Sequence, residues 1–76
     1  MSRDAQSVAE IEIVVNGEQK TVRAGATLVE LLPSLGAPRE GFAVERNGKI
    51  VPRSLHATEQ LAAGDRLEIV TFVGGG

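Results

Sequence analysis

The chain has 76 residues, a formal net charge of −2 at pH 7, no cysteine, one histidine and two aromatic residues. This length suits one small domain, and the lack of cysteine excludes a disulfide scaffold, a thiolate metal site and a cysteine nucleophile. The acidic balance and the few aromatic side chains argue against nucleic-acid binding. No stretch is long and apolar enough to span a membrane.

The chain begins with a polar segment, MSRDAQSVAE. It lacks the apolar core of a signal peptide, so we expect the protein to be cytoplasmic. We expect residues 1–9 to form a flexible tail, residues 10–72 the folded domain and residues 73–76 a second flexible tail.

The first predicted element is a β-hairpin over EIEIVVNGEQKTVR. Its first half alternates strictly, which predicts a strand with one buried face, formed by Ile11, Ile13 and Val15. Asn16–Gly17 favours a type I′ turn because both central residues of that turn need positive φ. Residues 18–23 should then return antiparallel with Val22 facing the core.

The next segment, AGATLVELLPSLG, predicts a helix. Thr27 and Glu30 have the spacing of a capping box, and one apolar stripe is formed by Leu28, Leu31, Leu32 and Leu35. Pro33 cannot donate a backbone hydrogen bond, so we expect the helix to end or kink near Leu32. Gly36 is the expected stop signal.

A second hairpin is predicted over GFAVERNGKIVPRS, with Phe42 and Val44 on one face, a turn at Asn47–Gly48 and a return over residues 49–51. Pro52 should close the returning strand. The following stretch, SLHATEQLAAGD, predicts about one helical turn and then a turn at Gly64–Asp65. We expect His56 to be at the surface or partly packed, with no chemical role.

The last predicted strand is RLEIVTFV, with Leu67 and Ile69 facing the core. Strands flanking one helix indicate an α+β domain, and we expect this strand in the middle of the sheet beside the first. Val70 and Phe72 then face outward, where they and Val73 would contact a partner. The alternatives are that a helix or loop covers these residues, or that Phe72 caps the edge of the core.

The sequence ends in three glycines. Without a Cβ, Gly74, Gly75 and Gly76 could enter a channel too narrow for side chains. The one functional group there is the carboxylate of Gly76, which adenylation by ATP would activate and a sulfur nucleophile would convert to a thiocarboxylate. The sequence offers no catalytic constellation of its own, so we expect a carrier acted on by other enzymes, with no bound metal or cofactor and with ATP used by the partner.

Three segments resemble the ThiS family of sulfur carriers, which are ubiquitin-like β-grasp proteins of thiamine biosynthesis: AGATLVELL, VERNGKIVPRS and GDRLEIVTFVGGG. The resemblance covers residues 10–76 and implies a mixed sheet of four to five strands on one main helix. It implies adenylation and thiocarboxylation at Gly76 by a ThiF-type enzyme, sulfur from a donor such as a cysteine desulfurase, and delivery to the thiazole synthase ThiG. Pro33 departs from the helix expected of the family, and we expect a monomer.

Other functions are compatible with these residues. A MoaD-like subunit of molybdopterin synthase, or a carrier for cysteine synthesis, would use the same chemistry in another pathway. A ubiquitin-like modifier would form isopeptide bonds through Gly76, and a simple interaction module would not need the last glycines at all.

Overall fold

The structure is a computed structural model, and it describes residues 9–72. The strands are β1 (Glu10–Val15), β2 (Glu18–Arg23), β3 (Phe42–Arg46), β4 (Lys49–Ile50) and β5 (Arg66–Thr71). The helix is α1 (Leu28–Leu31), and two 3₁₀ turns span Leu32–Leu35 and Arg53–Leu55. The predicted tails fall on residues that lie outside this range, apart from Ala9, whose carbonyl accepts a hydrogen bond from the Ala24 N–H at 2.9 Å.

The five strands form one mixed sheet in the order β2-β1-β5-β3-β4. β5 is central and runs parallel to β1, with Val14 beside Arg66 and Val15 beside Leu67. The other neighbouring strands are antiparallel. The α+β class, the mixed sheet of four to five strands and the central position of the last strand are therefore confirmed.

Both hairpin turns have the predicted geometry. Asn16 and Gly17 have φ of 50° and 84°, and Asn47 and Gly48 have φ of 54° and 88°. A type I′ turn needs positive φ at both central residues, and asparagine tolerates this region better than most residues with a side chain. The Asn-Gly pairs thus set the positions at which the chain reverses.

Each turn asparagine also bonds to β5. The Oδ1 of Asn16 accepts the Ile69 N–H at 2.8 Å, and the Oδ1 of Asn47 accepts the Arg66 N–H at 2.9 Å. Their backbone N–H groups donate to the carbonyls of Leu67 and Arg66, at 2.9 and 2.8 Å respectively. The two hairpins therefore hold the central strand from both sides.

The helix follows its sequence signals closely. Glu30 Oε1 accepts a hydrogen bond from the Thr27 N–H at 3.0 Å, as expected of a capping box. The α-helix ends at Leu31 and continues as a 3₁₀ turn with Pro33 in its first turn, where a missing N–H costs little. Gly36 then ends the segment in the left-handed region, with φ of 83°.

The core lies between the inner face of the sheet and the helix. It is formed by the buried residues Ile13, Val15, Leu28, Leu32, Val44, Val51, Leu61 and Leu67. Partly buried side chains at its edge include Val22, Leu31, Leu35, Phe42 and Ile69. The inward faces predicted from the alternation and from the leucine stripe are thus confirmed.

His56 is placed differently from the prediction. It is buried, and its Nε2 lies 3.1 Å from the carbonyl oxygen of Val51. Its own carbonyl accepts a hydrogen bond from the Val29 N–H at 2.9 Å, which ties this loop to the helix. The short 3₁₀ turn over Arg53–Leu55 directs the chain inward here, and so brief a turn leaves no periodicity from which a buried face can be predicted.

The described part of the chain, residues 9–72, contains no helix of the length and apolar character that a membrane crossing requires. Over the same range, no group of three histidine, cysteine, aspartate or glutamate residues is arranged to hold a metal ion.

Candidate functional site

The two faces of β5 have opposite character. On the inner face Leu67 is 1% exposed and Ile69 is partly buried, whereas on the outer face Val70 and Phe72 are 42% and 60% exposed. The predicted exposure is confirmed, and neither a helix nor a loop among residues 9–72 covers these two side chains. Large apolar groups left in water on one face of a sheet often mark a binding surface.

Neighbouring strands extend this surface. The register places Ala43 of β3 directly beside Val70, and Ile50 of β4 beside Glu45 on the same face. Ile50 is 57% exposed. We call this group the outer patch, and it consists of Ala43, Ile50, Val70 and Phe72.

Two carboxylates border the outer patch. Glu45 of β3 and Glu68 of β5 are directly opposite each other, and neither forms a salt bridge with any of residues 9–72. Like charges in this cross-strand position destabilise a sheet. A partner that brings lysine or arginine side chains to this position would relieve the repulsion.

The outer patch lies where the chain leaves the sheet. Thr71 pairs with Phe42, and the Phe72 N–H donates to the Gly41 carbonyl at 2.8 Å. The backbone is therefore held against β3 through Phe72, four residues before the end of the sequence. Val73, Gly74, Gly75 and Gly76, the other predicted site residues, lie outside the described residues.

The opposite end of β5 is fixed by a buried carboxylate, Asp65. Its Oδ2 accepts hydrogen bonds from Arg46 Nε and the Ala62 N–H, both at 2.8 Å, and its Oδ1 accepts one from Asn47 Nδ2 at 3.0 Å. Arg46 also binds Glu59 at 3.0 Å. These contacts hold β5 in register with the second hairpin.

This environment shifts the pKa of Asp65. Burial acts to raise the pKa, but the hydrogen bonds from the Ala62 N–H, Asn47 and Arg46, together with the positive charge of Arg46, outweigh it. The net result is a pKa below the ordinary value of an aspartate, so the carboxyl group is ionised in the native protein at neutral pH.

The sequence prediction found part of this site. Alternation in one strand predicted that Val70 and Phe72 face outward, but the pairing of β3 with β5 is a long-range contact that the sequence does not specify. Ile50 and the opposed glutamates were therefore missed. The hydrogen bond between Asn47 and Asp65 beside β5 was missed for the same reason, although the sequence predicted a turn at each of these two residues.

The sheet order and the single helix packed on one face define a ubiquitin-like β-grasp protein with an uncovered patch beside its last strand. The model of the ThiS family matches residues 9–76. The chain belongs to the ThiS family.

Solved structures are similar over most of their length. The crystal structure of the thiamine biosynthesis protein ThiS from Geobacter metallireducens has a TM-score of 0.74 and 33% sequence identity, and the match covers 87% of this chain and 100% of that one. The solution structure of a thiamine biosynthesis protein from the same organism has a TM-score of 0.68 and 32% identity, and covers 87% and 88% of the two chains.

Among curated proteins, the chain is 46% identical over 66 residues to a thiazole synthase of Paramagnetospirillum magneticum and 42% identical to one of Magnetococcus marinus. These matches cover 87% of this chain but only 20% of each synthase, so the chain spans about one fifth of their length. It is also 38% identical to the protein ycf40 of Pyropia yezoensis, of which it covers 93%.

Proposed function

We propose that this chain is a sulfur carrier of thiamine biosynthesis that delivers sulfur for the thiazole ring from a thiocarboxylate at Gly76. The observation that carries the proposal is the ThiS family match, which extends to the terminal glycine. The similar solved structures from Geobacter metallireducens, both named as thiamine biosynthesis proteins, support the same pathway.

The chemistry takes place on the terminal carboxylate. A carboxylate oxygen of Gly76 attacks the α-phosphorus of ATP, the bond to the bridging oxygen of the β-phosphate breaks, and pyrophosphate leaves. The product is an acyl-adenylate. The outer sulfur of a persulfide on a donor such as a cysteine desulfurase then attacks the acyl carbon, and AMP leaves with the electron pair of the carbon–oxygen bond. A second thiol attacks the donor's own sulfur in the resulting acyl disulfide, forms a disulfide with the donor, and releases the thiocarboxylate.

The catalytic groups for these steps belong to the partners: a ThiF-type adenylating enzyme, which uses ATP, and a thiazole synthase. The chain contributes a narrow terminus and a surface that binds them. Three glycines present no Cβ to the walls of an active-site channel. The carrier itself is a cytoplasmic monomer with no bound cofactor.

We assign partner binding to the outer patch and to Val73, which follows it. Phe72 and Val70 are exposed apolar groups on the strand that leads directly into the tail. A partner that covers them is positioned to receive Gly76, because the sheet fixes the start of the tail. The opposed Glu45 and Glu68 favour a partner surface with basic side chains around an apolar centre.

The thiazole synthase relatives support the choice of partner. In each of them a region similar to this chain is part of one polypeptide named thiazole synthase. Covalent linkage raises the effective concentration of two modules that act together. We therefore propose that this chain makes the corresponding contact with a thiazole synthase.

The adenylation step can be tested by ATP–pyrophosphate exchange. A ThiF-type enzyme should incorporate labelled pyrophosphate into ATP only when the carrier is present, because the exchange needs a reversible acyl-adenylate. The matched control is a chain that ends at Gly75, which retains a terminal carboxylate but is one residue shorter. Equal exchange with both chains would contradict a specific role for Gly76.

The pathway can be tested by copurification. We expect the carrier to retain a thiazole synthase and not the large subunit of molybdopterin synthase. Retention of the molybdopterin enzyme alone would assign the same chemistry to a different pathway. Gly76 found in isopeptide linkage to lysines of other proteins, with no thiocarboxylate, would instead identify a protein modifier.

A further inference from the structure

A second surface feature lies on the helix side of the sheet, away from the outer patch. It is a groove of about 330 Å³ between the helical segment and the loop that carries His56. Its apolar walls are formed mainly by Val29, Leu32, Pro33, Ala37, Phe42 and Ala57. Val29 is 51% exposed, so this wall includes apolar surface that the fold leaves uncovered. We call this feature the helix-side groove.

The charged residues of the helix-side groove are all basic. Arg39 and Arg53 line it, and no aspartate or glutamate does. Neither arginine takes part in a salt bridge within residues 9–72. The guanidinium carbon of Arg53 lies 5.6 Å from the centre of the Phe42 ring, so its cation is held against the apolar wall. In a chain of net charge −2, this is a local concentration of positive charge, which attracts carboxylates.

The groove is also close to the point where the tail begins. Phe42, one of its walls, pairs with Thr71, and the adjacent Gly41 carbonyl accepts the hydrogen bond from the Phe72 N–H. The outer patch and the helix-side groove thus lie on opposite sides of the same strand end. A protein that receives the tail is within reach of both.

We propose that the helix-side groove binds a segment of a partner protein that presents an apolar side chain next to one or two carboxylates. The apolar side chain packs between Val29 and Phe42, and the carboxylates bind Arg39 and Arg53. This inference rests on the proposed function, since the partner is an enzyme that acts on Gly76. The helix-side groove would be a second contact site for the partner. It favours acidic groups, whereas the outer patch favours basic ones.

The test uses two doubly substituted chains that change the net charge equally. Arg39→Gln with Arg53→Gln removes both groove cations, and Lys20→Gln with Lys49→Gln removes two exposed cations that do not line the groove. Dissociation constants are measured for a ThiF-type enzyme and for a thiazole synthase. We expect the arginine variant to bind at least one of them about tenfold more weakly, and the lysine variant to bind both as the wild type does.

A third variant tests the apolar part of the groove. Ala57→Leu fills the groove at an exposed position without changing the charge, and it should weaken binding to the same enzyme. Unchanged affinity of the arginine variant for both enzymes would overturn the proposal. An equal loss with the lysine variant would also overturn it, because long-range charge would then explain the effect.

Amide NMR spectra show whether the helix-side groove is occupied by the partner or by the last residues of the chain itself. Addition of the enzyme should shift the amides of Val29, Ala37 and Ala57 in the wild type. If removal of residues 74–76 shifts these amides with no enzyme present, the terminal carboxylate of the chain occupies the groove, and the partner proposal is wrong. If the wild type supports no pyrophosphate exchange, the proposed function fails. If the wild type supports exchange but the arginine variant binds both enzymes normally, only the groove inference fails.

Discussion

Asn16 and Asn47 occupy the same position in the two hairpin turns, and each combines two structural roles. The sequence predicted the first role, a residue that tolerates positive φ beside glycine. The second role, a side-chain hydrogen bond to β5, was not predictable, because it depends on which strand lies next to the turn. Local conformation was therefore encoded in the residue pair, whereas its long-range contact was not.

These two roles can be separated at Asn16. Asn16→Gly keeps a turn that accepts positive φ but removes the acceptor for the Ile69 N–H, so we expect a loss of about 1 kcal/mol in the free energy of unfolding. Asn16→Ala removes the same acceptor and adds the strain of a Cβ at positive φ, about 1 kcal/mol more. Urea denaturation measures both. A glycine variant as stable as the wild type would show that the side-chain bond contributes nothing.

Asp65 makes stability depend on pH in a defined direction. Its pKa is lower in the folded protein than in the unfolded chain, so the unfolded state takes up the proton first as the pH falls. The stabilisation is present in full above the unfolded pKa of about 4 and is lost as the pH falls through the lower folded pKa.

We therefore expect the free energy of unfolding to decrease as the pH falls below about 4, and Asp65→Asn to reduce that decrease. At neutral pH the variant should be about 1–3 kcal/mol less stable, because Arg46 loses a buried charged partner. Glu40→Gln, at an exposed residue with no salt bridge in the described range, is the control. Urea denaturation at several pH values measures the effect, and identical pH profiles for wild type and Asp65→Asn would contradict this assignment.

At the scale of elements, the hydrophobic periodicity and the residues that favour turns and helix ends predicted most of the fold. The alternation of β1 and β5, the leucine stripe of α1, Pro33 and Gly36 all act within a few residues, and the structure confirms each. The burial of His56 was not predicted, because the single 3₁₀ turn in its loop is too short to show a hydrophobic periodicity. Burial there is decided by packing against the helix, which a local pattern does not contain.

The two faces of β5 predict opposite mutational effects. Leu67→Ala should cost about 2–5 kcal/mol of unfolding free energy, because it opens a cavity at a fully buried position. Val70→Ala on the outer face should stay within about 0.5 kcal/mol of the wild type. Thermal or urea unfolding of the pair provides the comparison. Equal losses would mean that the outer face is also packed in the native protein.

At the scale of the whole molecule, the β-grasp body fixes the position at which the chain leaves β5 and exposes apolar surface beside it. The resemblance in the sequence predicted the family and the chemistry at Gly76, and the family is confirmed. The composition of the outer patch and its bordering carboxylates could be predicted only in part, since they come from β3, β4 and β5, which are adjacent only after folding. The pairing of Glu45 with Glu68 is the clearest example.

Phe72 should matter for binding and little for folding. Because its side chain is 60% exposed, Phe72→Ala should leave the unfolding midpoint close to that of the wild type. Loss of an aromatic contact at the centre of an interface typically costs about 1–3 kcal/mol, so we expect roughly a tenfold or greater loss of affinity for the adenylating enzyme or the thiazole synthase. Calorimetric titration measures this, with Thr21→Ala on β2 as a distant exposed control. Normal affinity for both enzymes would refute a contact role.

The central claim is that this domain carries sulfur on its final carboxyl group. Intact mass spectrometry after incubation with a ThiF-type enzyme, ATP and a sulfur source tests it most directly. We predict a mass increase equal to the replacement of one oxygen by sulfur, dependent on ATP, and no such increase in a chain that ends at Gly75. An unchanged mass in the complete reaction, or the same increase in the shortened chain, would contradict the claim.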